Sequence, residues 1–350
     1  MVAFRSRGWL HVRMIIAVVM CTSVLLFLAR PIRQHSGQAS ERECSNCVSR
    51  SLLVTGLPRS GTTVMGYMAS LLDHQTMIHE PSNPSNRLHL LGGRFLPMAN
   101  DFPFGDGQFP DVASWSDPEP AARYFDAIFT EFCPPSSSRD TSEGGGGDSP
   151  QMPSIIIKDP TFLSSAEWLV HSYGVGKALV MIRHPAAVVA SWKALEWEGG
   201  NIVRLSHLYV DMMTQYVLPL WDRYGGSLLS VRENVDGGGG GNCGRRWIFL
   251  RHEDFCIDPV GITIRLQEAL AMPDQLGPST HQQIVSRISS YIYAPSPNDG
   301  RHQYHAVHME TASQIDVWKA ELSPFEVSII RAGTEAVWKY FYAAEDWIQS

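Results

Sequence analysis

Residues 51–63 read SLLVTGLPRSGTT, and the fold is decided there. Leu52-Leu53-Val54 is a short apolar run of the kind that forms a buried strand. A loop bounded by Gly56 and Gly61 follows, and Thr62-Thr63 open an apolar stretch, Val64 to Leu72, that reads as a helix. Strand, glycine-bounded loop and helix N-terminus in that order make a phosphate cradle, because loop N–H groups and the first helical N–H groups point at one anion. The spacing is that of a Walker A loop, G-x-x-x-x-G, with Thr62 where the lysine belongs and Arg59 inside the loop. That lysine normally reaches the β and γ phosphates, so its absence argues against ordinary nucleotide hydrolysis.

Outward from the loop, apolar runs at Thr76–His79, Ser154–Ile157 and Lys177–Ile182 read as further strands, with Trp247–Leu250 as a fifth. Helical patterns at Thr62–Leu72, Ser164–Tyr173, Ala186–Leu195 and Leu205–Tyr224 alternate with them. The alternation predicts an α/β fold, a P-loop-like parallel sheet flanked by helices on both faces. Ser323-Pro324-Phe325-Glu326 has the form of a capping box with proline at the first helical position, leading a helix through Val327–Tyr342. Ser136–Asp148 and Asp236–Gly241 are low-complexity insertions that do not divide the domain.

The 350 residues carry a net charge of −7, which gives no support for nucleic-acid binding. Arg5, Arg7 and Arg13 precede an uncharged apolar segment, Met14 to Ala29. We read residues 1–13 as a cytoplasmic tail, 14–29 as a transmembrane signal anchor, 30–50 as a stem and 51–350 as a lumen-facing catalytic domain. A cleaved signal peptide fits the length of the apolar segment, but no small-x-small site precedes the polar stretch. No N-x-S/T sequon with a permitted middle residue is present. Cys44, Cys47, Cys133, Cys243 and Cys256 lie beyond the anchor, an odd count that leaves at least one free or intermolecular thiol. Cys44-x-x-Cys47 has no second CxxC to complete a zinc site and is read as a stem disulfide.

The strand Lys177–Ile182 runs into Arg183-His184-Pro185 and then a helix carrying Ser191. Arginine stands at the carboxyl end of the strand, where α/β folds bind ligands, and no apolar run ends in the aspartate that would hold magnesium. Two anion-binding strand ends without a metal carboxylate suit a ligand with two separated phosphate groups. LPRSGTT resembles the 5′-phosphosulfate loop of sulfotransferases, and RHPAAVVAS resembles their 3′-phosphate motif. IIIKDPTFLSS is similar to the Lys-Asp-Pro segment of the tyrosylprotein branch. The opening helix and the following Glu80-Pro81 resemble the Golgi carbohydrate branch, and His252-Glu253-Asp254-Phe255 with Pro259 resembles a late strand-to-helix segment of the family. The resemblance covers Ser51 to Leu270 in order and Trp318 to Tyr342 more loosely.

That resemblance implies transfer of a sulfuryl group from 3′-phosphoadenosine 5′-phosphosulfate (PAPS) to an acceptor hydroxyl, with no metal needed for the transfer. It implies that Arg59, Ser60, Gly61, Thr62 and Thr63 hold the 5′-phosphosulfate and that Arg183 and Ser191 hold the 3′-phosphate. Ser191 lies about two helical turns from Arg183, so their convergence rests on the resemblance. Arg59 is assigned charge neutralisation at the leaving group, Lys158 stabilisation of the transferred group, and Glu80 the general base, with Asp159 as its rival. A histidine base of the cytosolic branch would stand at Pro160, which removes that option. His79 is expected to face the other side of its strand from Glu80. His302, His305 and His308 read as a polar loop, and Trp192 and Trp197 as core. The expected acceptor is a glycan, with protein tyrosine as the runner-up; its contacts are expected from Ser82–Pro150 and Pro295–Thr311. The expected location is the Golgi membrane, as a single-pass type II protein. A P-loop small-molecule kinase and a membrane-anchored protein with a decayed site are the readings of other classes.

Overall fold

In the computed structural model, residues 47–73, 76–82, 117–133, 155–225, 246–270 and 314–348 are described, with isolated residues between them. All of them belong to one compact unit within residues 42–350. The anchor segment 14–29, Cys44, Cys243, both low-complexity insertions and the loop with His302, His305 and His308 lie outside the described residues. No helix among the described residues is long and apolar enough to cross a membrane.

The strands are β1 (Leu52–Gly56), β2 (Thr76–His79), β3 (Ile155–Lys158), β4 (Lys177–Ile182), β5 (Arg232–Glu233) and β6 (Arg246–Arg251). They form one sheet in the order β2-β3-β1-β4-β6-β5. The first five of these positions are parallel, and the two-residue β5 pairs antiparallel at the edge. The parallel arrangement expected from the alternation is present, and the short edge strand is an addition the sequence pattern did not show. Buried β-strands need apolar side chains on both faces. Leu53, Ile157, Val180 and Phe249 enter one core, while Leu52, Val54, Ile156, Leu179, Met181 and Ile248 enter the other.

The second core lies under α1 (Thr62–Asp73), through Met65, Met68 and Ala69. On the opposite face α2 (Glu119–Phe132) contributes Phe125, Ile128 and Phe129. The same side receives α3 (Pro185–Ala194), α4 (Ile202–Met212) and α5 (Leu218–Tyr224). After β6, α6 (His252–Ile257) and α7 (Pro259–Leu270) return to the α1 side through Phe255, Ile262 and Leu266. Near the C-terminus, α8 (Val317–Glu321) and α9 (Pro324–Gly333) close the first core. The Ser323–Glu326 capping box is present in both directions, with Ser323 and Glu326 side chains each bonded to the other's backbone N–H.

Three helix readings change in their bounds. Asn201 caps α4 by accepting from Arg204 N–H at 3.1 Å, so the helix starts at Ile202 rather than Leu205. It does not run unbroken to Tyr224: a wide π turn, Met213–Val217, precedes Pro219, whose missing N–H cannot serve the regular ladder. The expected helix Ser164–Tyr173 is present from Ala166, as an α turn that widens into a π turn at Leu169–Tyr173, and a 3-10 turn, Pro160–Leu163, capped by Asp159, precedes it. The last helix breaks at Thr334, whose hydroxyl bonds back to Ile330 C=O at 2.7 Å.

The expected stem disulfide is corrected: Cys47 pairs with Cys133, with Cα atoms 5.8 Å apart. The bond ties the turn before β1 to the end of α2. Cys256 is a free, buried thiol among the described residues, pushed up to about 12 by burial first. Closing a loop across 86 positions restricts the unfolded chain, and by loop-closure entropy this amounts to about 4–5 kcal/mol. Cys133→Ser is therefore expected to lower the unfolding free energy by about 4 kcal/mol, read from the guanidinium midpoint; an unchanged midpoint would show that the bond stabilises nothing.

Candidate functional site

The loop between β1 and α1 sits at the carboxyl edge of the central strand. It closes with Ser60 N–H on Leu57 C=O at 3.0 Å, and the helix ladder begins with Met65 N–H on Gly61 C=O at 3.3 Å. The N–H groups before that point emerge from the helix end toward the loop. Gly61 has φ 92°, and a Cβ there would lie 2.2 Å from Cδ2 of His252, so the histidine ring closes one side of the loop only because this residue is glycine. Ser60 and Thr62 are buried; Gly61 and Thr63 are half-buried. Ser60 Oγ is buried without a hydrogen-bond partner, and so is Arg183 Nε. Two buried, unsatisfied polar groups beside a helix N-terminus are costly in an empty interior and suited to an anion.

The structure supplies the convergence that spacing along the helix did not give. Arg59 Nε donates to Ser191 Oγ at 2.8 Å, across 132 positions of chain. Arg183 Nη1 donates to Arg59 C=O at 2.9 Å. Trp192 Nε1, one residue on, donates to Pro58 C=O at 3.2 Å, which fixes α3 against the loop. Arg59 itself is in the left-handed region, φ 72°. A non-glycine residue pays about 1–2 kcal/mol there, so the surrounding bonds hold it in place.

Lys158 and Glu80 meet at the ends of β3 and β2, one strand further along the same edge. Lys158 is 1 % exposed and its Nζ forms a hydrogen-bonded ion pair with Glu80 Oε1. Gly66 of α1 makes room for its stem: a Cβ there would stand 3.1 Å from Lys158 Cγ. Burial lowers the lysine from its ordinary range, and the Glu80 carboxylate acts in the other direction; the Arg59 charge also reaches it, which joins the two halves of the site. Glu80 has φ 44° and its N–H donates to Lys158 C=O at 2.6 Å.

That left-handed turn also corrects the expectation for His79. Strand alternation ends there, and His79 Nε2 stands 3.9 Å from Glu80 Oε1 rather than on the far side. Asp159, the rival carboxylate, is fully buried and occupied. Its Oδ2 accepts from Ser82 N–H at 2.9 Å, and its Oδ1 accepts from Thr161 N–H at 2.9 Å and Thr161 Oγ1 at 2.7 Å. Burial raises its carboxyl above the usual range, against those hydrogen bonds.

His184 and Glu253 stand inside motifs quoted above, where neither has a role of its own. His184 caps α3, its Nδ1 accepting from Ala186 N–H at 3.3 Å, and its ring stacks on Trp318 at 5.0 Å and packs against Trp347 at 4.4 Å. Burial first, then the Lys319 and Arg183 charges, lower it to about 3, so it is neutral at physiological pH. Glu253 follows β6 and accepts from His184 N–H at 2.9 Å. The signal available was positional: in a parallel sheet the residues just after neighbouring strands meet at one edge. Trp192 is core as expected, fully buried; Trp197 is not, being 36 % exposed and stacked on Trp192 at 5.4 Å. No group of three metal-ligating side chains occurs among the described residues.

No protein-family profile and no curated protein matches the chain. Similar solved structures include sulfotransferase STF9 from Mycobacterium avium, 16% identical, covering 84% of this chain and 77% of that one with a TM-score of 0.37. Retinol dehydratase in complex with retinol and PAP is 13% identical, with coverage of 86% and 85% and a TM-score of 0.36. The same enzyme with androsterone and inactive cofactor PAP is 14% identical, with coverage of 86% and 84% and a TM-score of 0.37.

Proposed function

We propose that this chain is a PAPS-dependent sulfotransferase acting on a hydroxyl acceptor. The observation that carries the reading is the pair of contacts linking Arg59 to Ser191 and Arg183 to the Arg59 carbonyl. They bring a glycine-bounded anion loop and an arginine from the next strand to one place, with buried Ser60 Oγ and Arg183 Nε still unsatisfied. Those groups fit a ligand with a 5′-phosphosulfate on the loop and a 3′-phosphate on Arg183 and Ser191.

When bound, PAPS supplies the sulfuryl group and departs as PAP. Glu80 takes the proton of the acceptor hydroxyl as its oxygen bonds to sulfur. Arg59 neutralises charge on the oxygen that leaves, its fork spanning two oxygens while it stays ionised. Lys158, held dry beneath α1, offsets charge on the transferred group. Asp159 is the weaker choice of base, since three hydrogen bonds already use its oxygens as a cap.

The favoured acceptor is a glycan hydroxyl, on the likeness of the Glu80-Pro81 segment to the carbohydrate branch; protein tyrosine remains the runner-up on the Lys-Asp-Pro segment. We place the chain in the Golgi membrane through residues 14–29, with the catalytic domain in the lumen. The Cys47–Cys133 bond supports an oxidising compartment.

Calorimetric titration of the full-length chain with PAP in EDTA tests the reading. Binding at micromolar concentration or tighter, about −8 kcal/mol, is expected, lost in Arg183→Ala. A preference for ATP with magnesium would establish the kinase reading in its place, and binding of neither would establish a decayed site.

A further inference from the structure

The peptide unit joining Arg183 to His184 is gripped from both sides by side chains remote in sequence. Tyr209 OH donates to Arg183 C=O at 3.1 Å. Glu253 Oε1 accepts from His184 N–H at 2.9 Å. The other oxygen of the same carboxylate, Oε2, accepts from Tyr342 OH at 2.8 Å, across 89 positions of chain. Tyr342 is itself tied down: Arg251 Nη1 donates to Phe341 C=O at 3.1 Å, and the Arg251 guanidinium lies 5.4 Å from the centre of the Tyr342 ring.

This peptide lies past the last residue of β4 and before α3, so neither ladder can serve its two polar groups. A solvent-facing turn would leave them to water. Here they are served by the buried Tyr209 and the half-buried Glu253 instead, and withdrawing a carboxylate from water costs free energy unless its oxygens are used. Both Glu253 oxygens are used, one on the Arg183–His184 peptide and one on the C-terminal segment. Fixing that peptide fixes the two backbone dihedrals that flank it, and with them the direction in which the Arg183 side chain leaves the chain. The far end of the same side chain is held by Arg59 C=O, while Nε remains buried and unsatisfied. The guanidinium is thus set before any ligand arrives.

We propose that Glu253, braced by Tyr342 and opposed by Tyr209, is a positioning residue that aims Arg183 at the 3′-phosphate, so that the C-terminal segment sets donor affinity. The proposal rests on the PAPS reading given above and adds to it the part of the chain that makes Arg183 selective. Glu253 and Tyr342 act through Arg183 and are not assigned any contact with the donor.

The test compares PAP with adenosine 5′-monophosphate, which lacks the 3′-phosphate, by calorimetry on the full-length chain in EDTA. Wild type is expected to prefer PAP. Tyr342→Phe keeps the ring and removes one hydrogen bond, and should weaken PAP about 5–10-fold with adenosine 5′-monophosphate unchanged. Glu253→Ala should weaken PAP by about 30-fold or more. Glu253→Gln, which keeps a carbonyl for His184 N–H, should recover most of that loss. Wild-type PAP affinity in Tyr342→Phe and Glu253→Ala would overturn the proposal. So would an equal loss for both nucleotides, which is what a brace of the fold alone would give. A wild type that binds neither nucleotide overturns the donor reading itself, and the positioning role with it.

Discussion

Glu80→Gln is expected to lower the turnover of sulfuryl transfer by about 10²–10⁴-fold while PAP affinity stays within about threefold of wild type, under 1 kcal/mol. The substitution keeps the shape of the side chain and an amide oxygen for Lys158 Nζ, so the hydrogen bond that the carboxylate makes can persist. It removes the capacity to take a proton. It also removes the negative charge that offsets the burial of Lys158, so the lysine is driven further below its ordinary range. Activity that remains should then fall off at lower pH than in wild type, because Lys158 loses its proton earlier as pH rises. The backbone of Glu80 is not disturbed, since its N–H bond to Lys158 C=O and its left-handed φ do not depend on the carboxylate. Turnover and PAP binding measured on the same preparation check the result; undiminished turnover would move the base away from Glu80. Asp159→Asn is the companion. Its amide must turn an N–H toward one of two donor groups, Ser82 N–H or the Thr161 pair, so a loss of stability should accompany any loss of rate.

How much of this was legible before the structure depends on the range of the interaction. Lys177–Ile182 is a strand with the bounds read from sequence, because a strand covered on both faces is apolar along almost its whole length and the chain shows that locally; Thr76–His79 keeps its bounds as a half-exposed edge strand. Helix ends set by a neighbour in sequence are legible at Ser323, where serine and glutamate stand at capping-box spacing around a proline, and not at Asn201 and Asp159, where one side chain caps without that pattern. The candidate site divides in the same way. Arg59, Lys158 and Arg183 stand out because each ends or follows a strand in a loop with little else to do. The Cys47–Cys133 bond and the Glu253–Tyr342 hydrogen bond join residues 86 and 89 positions apart, and no local pattern tells which residue is the partner of which. His79 shows the converse error. Alternation predicted its side from the strand alone, and a single left-handed residue at Glu80 ended the strand one step too early for that rule to apply.

Arg59→Ala is expected to lower turnover by about 10²–10³-fold and to weaken PAP by about tenfold, roughly 1.4 kcal/mol. Two functions are lost together, because the guanidinium both faces the site and reaches Ser191 Oγ from the loop. Backbone strain offers a rival explanation, since Arg59 is held at φ 72° and any substitution there touches a turn that other bonds maintain. Arg59→Gly separates the two. Glycine occupies that region without penalty, so the glycine variant should be more stable than the alanine variant by about 1 kcal/mol and just as inactive. Arg59→Lys divides the chemistry further: it restores the charge but not the planar fork, so it should recover PAP affinity more fully than turnover. If glycine restored turnover, the loop's conformation rather than the guanidinium would be what the reaction needs. The carbonyl of residue 59 would still be presented to Arg183 Nη1, and the role assigned here to Arg59 would pass to the backbone it shapes.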